Sequence, residues 1–196
     1  MQPAIAACAA ADTILAEFHR YGESPTAEIL AAGERDGVRW SEIARRVEAG
    51  LLHGPRLARV LLFPDPPSFE FAKAVERHDG QLALIFVALA EGGGPLDLVA
   101  WVAGQPVRSW LGRAALLGVE NLSAPQMNDE PVLVHFDALS YLRNACRGVL
   151  VIEPHRAAER LRWCSELAVS NRQDRSRLQF LLRPKIPRIE IVSRSP

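Results

Sequence analysis

The stretch from residue 132 to 168 constrains the fold most, because short apolar runs alternate in it with helical patterns. Residues 132–136 and 148–152 are apolar runs of strand length, and residues 137–147 between them have helical spacing. Strand, helix and strand in about 20 residues is typical of a βαβ unit with parallel strands. A second helix is predicted over residues 154–168. Asp137 and Glu153 precede the two helices, where N-caps are expected.

A β-hairpin and a helical layer precede this unit. Two apolar runs, residues 82–89 and 96–102, flank a loop that contains Gly92, Gly93 and Gly94, and this pattern predicts a hairpin. In about the first 80 residues, apolar side chains recur at helical spacing. We predict helices near residues 5–18, 25–33, 40–51, 55–62, 68–79 and, further on, 109–117. The predicted fold is α+β: an N-terminal helical layer packed on a small mixed sheet that contains the hairpin and one βαβ unit.

The run Pro64-Asp65-Pro66-Pro67 interrupts the helical part of the chain. It cannot continue a helix, because the prolines lack the backbone N–H that a helix needs. We predict a single domain over residues 1–196. The proline run is the best candidate for a boundary, and the alternative is a helical subdomain, 1–64, followed by a mixed α/β subdomain, 68–196.

Composition excludes several classes of protein. Apolar residues make up 48% and charged residues 23% of the chain, as in ordinary globular proteins. No apolar run reaches the roughly 18 residues that span a bilayer, so no membrane is predicted as a partner. Cys8, Cys146 and Cys164 are far apart, which argues against a disulfide framework or a cysteine-rich zinc site and favours the cytoplasm. The excess of arginine over lysine indicates a GC-rich, bacterial genome.

The first candidate site lies at the strand ends of the βαβ unit. His135 and Asp137 flank the end of one strand, and Glu153 and His155 follow the other. Ligands of open α/β sheets bind at the carboxyl ends of the strands, where these groups could perform acid–base catalysis or hold a divalent metal. The alternative is that Asp137 and Glu153 only cap helices and that His135 is a core residue. We predict the four as catalytic residues and assign no metal ligand and no cofactor.

The second candidate site is the basic C-terminal segment. Residues 156–196 carry a net charge of +6, whereas residues 1–155 carry −6. Clustered arginines can neutralise phosphates, and Phe180 could stack on a base, so the segment is predicted to bind nucleic acid. The alternatives are a solvated surface and ion pairs with the acidic remainder of the chain. The predicted binding residues are Arg172, Arg175, Arg177, Arg183, Lys185 and Arg188.

The segment from Trp40 to Val47, Trp-Ser-Glu-Ile-Ala-Arg-Arg-Val, resembles the first helix of the helix-turn-helix DNA-binding motif. The resemblance implies a recognition helix over residues 55–62, with Arg56 and Arg59 facing DNA. The turn glycine of the motif is replaced by Glu48, and Gly50 follows two residues late. The alternative is a pair of amphipathic helices with a solvated basic face.

These observations predict a non-enzymatic intracellular interaction or regulatory protein whose partner is a protein or a nucleic acid, contacted through the basic C-terminal segment. The alternative is a small enzyme or metal-binding protein that uses His135, Asp137, Glu153 and His155. The sequence names neither a substrate nor a cofactor.

Overall fold

A computed structural model describes residues 3–73, 75, 78–122 and 131–183, without the side chains of residues 3–10. These residues form an α+β fold with an N-terminal helical layer, a closed β-barrel and a four-stranded sheet. The α+β class is therefore confirmed. The single small mixed sheet is wrong, because the hairpin belongs to the closed barrel and the βαβ unit to the separate four-stranded sheet. The sequence also predicts a last strand over residues 186–192, and this prediction lies outside the described residues.

The helical layer consists of α1 (Pro3–Tyr21), α2 (Ala27–Arg35) and α3 (Trp40–Glu48). Thr26 begins α2 as its N-cap, and its hydroxyl accepts a hydrogen bond from the backbone N–H of Ile29. The indole N–H of Trp40 donates to the carbonyl of Leu30 at 2.9 Å and ties α3 to α2.

Five strands close the barrel in the order β1-β2-β5-β4-β3. They are β1 (Arg56–Pro64), β2 (Pro67–Phe71), β3 (Gln81–Leu89), β4 (Pro95–Trp101) and β5 (Arg108–Ser109). β3 and β4 are antiparallel neighbours, so the predicted hairpin is confirmed. The helices predicted over 55–62, 68–79 and 109–117 are wrong where they overlap β1, β2 and β5. The recognition helix implied by the helix-turn-helix resemblance is therefore wrong as well, since Arg56 and Arg59 lie in β1.

Burial on both faces explains why β1 has the sequence pattern of a helix. Val60 packs inside the barrel with Ile14 and Phe18 of α1, while Leu57 packs outside it against the rest of the fold. A strand that is buried on both faces loses the alternation of apolar and polar residues. Its apolar residues then match a helical spacing as well as a strand.

The proline run is a hairpin turn. Phe63 of β1 pairs with Ser68 of β2, and Pro64 pairs with Pro67 across the turn. The Asp65–Pro66 peptide bond is cis. Strands on the two sides of the candidate boundary are therefore hydrogen-bonded to each other within the barrel.

The second sheet has the strand order β6-β8-β7-β9. β7 (Val132–His135) lies parallel to both β8 (Val149–Val151) and β9 (Leu167–Ala168), whereas β6 (Leu116–Leu117) is antiparallel to β8. Between β7 and β8 lies α4 (Ala138–Arg143), which confirms the βαβ unit. α5 (Pro154–Leu161) ends earlier than predicted, and α6 (Arg172–Leu182) follows β9.

α4 and α5 cover opposite faces of this sheet. Tyr141 and Leu142 of α4 pack with Leu150 in a core shared with the outside of the barrel. Ala157 and Leu161 of α5 pack with the neighbouring strand residues and with Leu178 of α6 in a separate core. In the part of the chain that the structure describes, no helix is long and apolar enough to cross a membrane.

Candidate functional site

The carboxyl ends of β7 and β8 form the most favourable place for a ligand in this fold. The two strands are parallel neighbours, and the helices that follow them lie on opposite faces of the sheet. The loops after the strands therefore diverge and leave a crevice, which is where ligands bind in open α/β sheets.

Two adjoining cavities occupy this crevice. The first, of about 690 Å³, lies between the β7–α4 loop and the turn before β5, which contributes Gly104 to Val107. The second, of about 930 Å³, lies between α5 and α6. Phe136, Pro154 and Arg177 line both cavities. We call the second cavity, with this shared wall, the basic cleft.

Asp137 and Glu153 are helix caps. The Asp137 carboxylate accepts a hydrogen bond from the backbone N–H of Ser140 at 2.8 Å at the start of α4. The Glu153 carboxylate accepts from the backbone N–H groups of His155 at 3.1 Å and Arg156 at 2.6 Å at the start of α5. Both helix N-termini of the crevice are therefore already paired with a protein carboxylate.

His135 is a core residue. It is fully buried, its Nε2 lies 3.0 Å from the carbonyl oxygen of Arg147, and its ring contacts that of Tyr141 edge to face. Burial lowers the pKa of His135, because an imidazolium inside the protein loses its hydration. The ring is consequently neutral near pH 7, with the Nε2 proton directed at the carbonyl of Arg147.

The four residues predicted as catalytic do not form one centre. His135 faces α4, Asp137 lines the smaller cavity, and His155 lines the basic cleft on the other side of Pro154. Glu153 is occupied at the start of α5. Among the described residues, no group of three or more His, Cys, Asp and Glu side chains is arranged to hold a metal ion.

The predicted basic segment divides into two parts. Arg177 and Arg183 line the basic cleft, whereas Arg172 and Arg175 are exposed and line neither cavity. Lys185 and Arg188 lie outside the described residues. Within the described part, α6 thus directs some of its arginines into the crevice and others away from it.

Arg162 completes the cationic lining, and the sequence interpretation missed it. It lines the basic cleft from the end of α5, and its Nη2 donates to the carbonyl of Arg183 at 3.3 Å. Ala158 follows Pro154 by four residues and Arg162 follows Ala158 by four. This spacing could have placed all three on one face of the predicted helix.

Phe180 provides an exposed aromatic ring beside these arginines. The residue is 76% exposed although it lines the basic cleft. Leu181 and Ala158 lie behind it as further apolar lining. The cleft therefore combines guanidinium groups, an accessible ring and apolar floor residues.

A separate buried polar network lies on the outward face of the barrel strand β4. Asp97 of β4 is fully buried, and its carboxylate accepts hydrogen bonds from the Ser109 hydroxyl and from the backbone N–H groups of Leu111, Arg113 and Ala114. The backbone distances are 2.7 to 3.1 Å. These donors occupy both carboxylate oxygens, so the network is structural rather than a ligand site.

Cys146 is also a structural residue. It is buried beside Tyr141, and burial raises the pKa of its thiol to about 12. The reactive thiolate form is therefore almost absent near neutral pH.

No known protein family, curated protein or solved structure matches this chain.

Proposed function

We propose that this chain is a non-enzymatic binding protein that contacts single-stranded nucleic acid through the basic cleft. One observation carries the proposal: Arg162, Arg177 and Arg183 line the same concave surface as the exposed ring of Phe180. Single-stranded nucleic acid is bound elsewhere by this combination of cations for the backbone and an aromatic ring for the bases.

The chemistry of arginine supports phosphate as the group that is bound. The guanidinium is permanently charged and presents planar N–H groups that match two phosphate oxygens. Among the described residues that line the basic cleft, Glu159 has the only carboxylate, against three arginines, and Arg177 also lies 3.5 Å from the carboxylate of the buried Asp174. The three guanidinium groups of the lining therefore outnumber the carboxylates of Glu159 and Asp174.

A single strand fits the cleft better than a duplex. The ring of Phe180 can stack only on a base whose face is accessible, and bases in a duplex are already stacked on one another.

The helix N-termini of the crevice are capped by Asp137 and Glu153, so phosphate recognition relies on side-chain cations.

The proposal is tested by fluorescence anisotropy with labelled, mixed-sequence single-stranded DNA, single-stranded RNA and duplex DNA at two salt concentrations. We expect the single strands to bind more tightly. The variant Arg177→Gln/Arg183→Gln should flatten the dependence of log K on log salt by about 2, one unit for each lost phosphate contact. The control variant Arg172→Gln/Arg175→Gln, which removes equal charge from α6 outside the cleft, should retain the cleft contacts and the larger slope.

The contribution of the ring is tested separately. Phe180→Leu should weaken single-strand binding by about 1–3 kcal/mol, the usual contribution of one stacked base. Trp163→Leu is the matched control, because Trp163 is also an exposed aromatic residue, at 87%, but does not line the basic cleft. No binding at low salt, or equal losses in the cleft variants and their controls, would contradict the proposal.

A further inference from the structure

A small apolar cavity lies where the helical layer, the barrel and α4 meet. Its volume is about 140 Å³, and it shares no lining residue with the basic cleft, although Trp101 and Leu139 also line the first cavity of the crevice. Trp40, Leu57, Trp101 and Leu142 contribute to its walls, and of the described residues that line it only the exposed Asp36 is charged. We propose that this cavity binds one neutral, apolar molecule the size of a single aromatic ring or a branched aliphatic group.

The wall formed by Trp40 is fixed before any ligand binds. Its indole N–H is already paired with the carbonyl of Leu30 at 2.9 Å, so the ring presents only carbon to the cavity. The ring lies directly against Gly33, where a Cβ atom would come within 2.6 Å of the indole nitrogen. Glycine at this position is therefore what allows the indole to lie flat along α2.

The chemistry of the walls determines the class of ligand. A buried water needs two to four polar partners, whereas apolar cavities of about 150 Å³ stay dry and take up benzene. An anionic ligand would lose its hydration without gaining a cationic partner, because the described lining residues include no Lys, Arg or His. The volume admits one ring and excludes a nucleotide or a peptide segment.

The cavity is accessible from solvent. Leu82, at the start of β3, is among its lining residues and is 45% exposed. A ligand can therefore enter beside this strand without unfolding of the barrel. The site is independent of the basic cleft, so the two proposals can fail separately.

The test uses the full-length protein labelled with ¹⁵N and titrated with toluene, with benzoate as the charged analogue and pyrene as an oversized one. We expect saturable shifts of the indole N–H signals of Trp40 and Trp101, no shift of that of the exposed Trp163, and a rise in Tm with toluene concentration. Benzoate and pyrene should produce none of these changes. Saturable binding of pyrene, or shifts that are largest at Trp163, would overturn the proposal.

A pair of matched variants locates the site. Ala32 lines the cavity from α2, and its neighbour Ala31 is exposed and does not. Ala32→Leu should fill the cavity and weaken toluene binding by at least about tenfold, or 1.4 kcal/mol. Ala31→Leu should bind as the wild type does. Equal binding by both variants, or no saturable binding by the wild type, would refute the assignment.

Discussion

Asp97 links two segments that are separate in the sequence, its own strand β4 and residues 109–114. Its donors, from Ser109 to Ala114, lie 12 to 17 residues further along the chain. They form the turn between β5 and β6, which are strands of only two residues each and have few ladder hydrogen bonds of their own. The carboxylate therefore replaces the missing strand pairing between the barrel and the second sheet.

We expect Asp97→Asn to destabilise the protein by about 2–4 kcal/mol. The amide has one acceptor oxygen where the carboxylate has two, and hydrogen bonds to a charged group contribute about 1.5–3 kcal/mol each. Urea denaturation followed by circular dichroism measures the change. Asp12→Asn on the exposed side of α1 is the control and should be within about 0.5 kcal/mol of the wild type. Equal stability of the two variants would contradict the role given to Asp97.

The sequence could not have predicted this network. Asp97 stands in the apolar segment of β4 and looks like an interruption of the strand. Its partners are mostly backbone N–H groups, which have no signature in a sequence. Arg177 and Arg183 could be predicted as binding residues because the C-terminal part of the chain carries excess positive charge. Their separation from Arg172 and Arg175 could not, since it depends on how α6 is rotated against α5.

Helices and strands can be predicted from the sequence where an N-cap residue precedes a helical pattern and where the strand residues are apolar. The βαβ unit can be recognised because Asp137 and Glu153 mark the beginnings of α4 and α5 and the strand that precedes each of them is short and apolar. β1 was missed because side chains on both of its faces are buried. β2 was missed because it is short and only Phe69 and Phe71 on one face are buried, which is too little to show a strand period. β5 and β6 were missed because two residues are too few to show any periodicity.

Two substitutions of Asp137 test whether its carboxylate only caps α4 or has a further role. Asn caps helices about as well as Asp, whereas Ala does not, so Asp137→Asn should leave stability almost unchanged and Asp137→Ala should cost about 1 kcal/mol. Thermal denaturation distinguishes the two variants. Neither variant should lose the salt-dependent binding that is proposed for the basic cleft. Loss of binding in Asp137→Asn at unchanged stability would show that the carboxylate has a role beyond α4.

The whole molecule is organised around the barrel. The interior core holds Ile14 and Phe18 of α1, while the outer faces of β1, β3 and β4 pack against α3 and α4. α1 thus contributes side chains to the core inside the barrel, and α3 contributes side chains to the core that the barrel shares with the second sheet. Single-domain behaviour over residues 1–196 remains our prediction.

Limited proteolysis tests this organisation. Because the turn at Asp65 joins two paired strands of a closed barrel, we expect no cleavage there that releases two separately stable pieces. Native digestion followed by gel electrophoresis and mass spectrometry identifies the fragments. Two fragments that separate on gel filtration and each retain cooperative unfolding would instead establish the division into 1–64 and 68–196.

The burial of β3 and β4 on both faces has a consequence for the fidelity of folding. In most sheets, a one-residue slip in the pairing of two strands is prevented, because it would turn the apolar side chains to solvent and the polar side chains to the core. Here Val99 of β4 faces one core and Leu98 the other, so a one-residue slip of β4 would exchange two apolar sets at little cost in hydrophobic burial. The same slip would carry the charge of Asp97 away from its donors and into the barrel interior, where an unpaired carboxylate is strongly unfavourable. The buried charge of Asp97 can thus select one strand register, although the apolar residues of the strands could pack in either register.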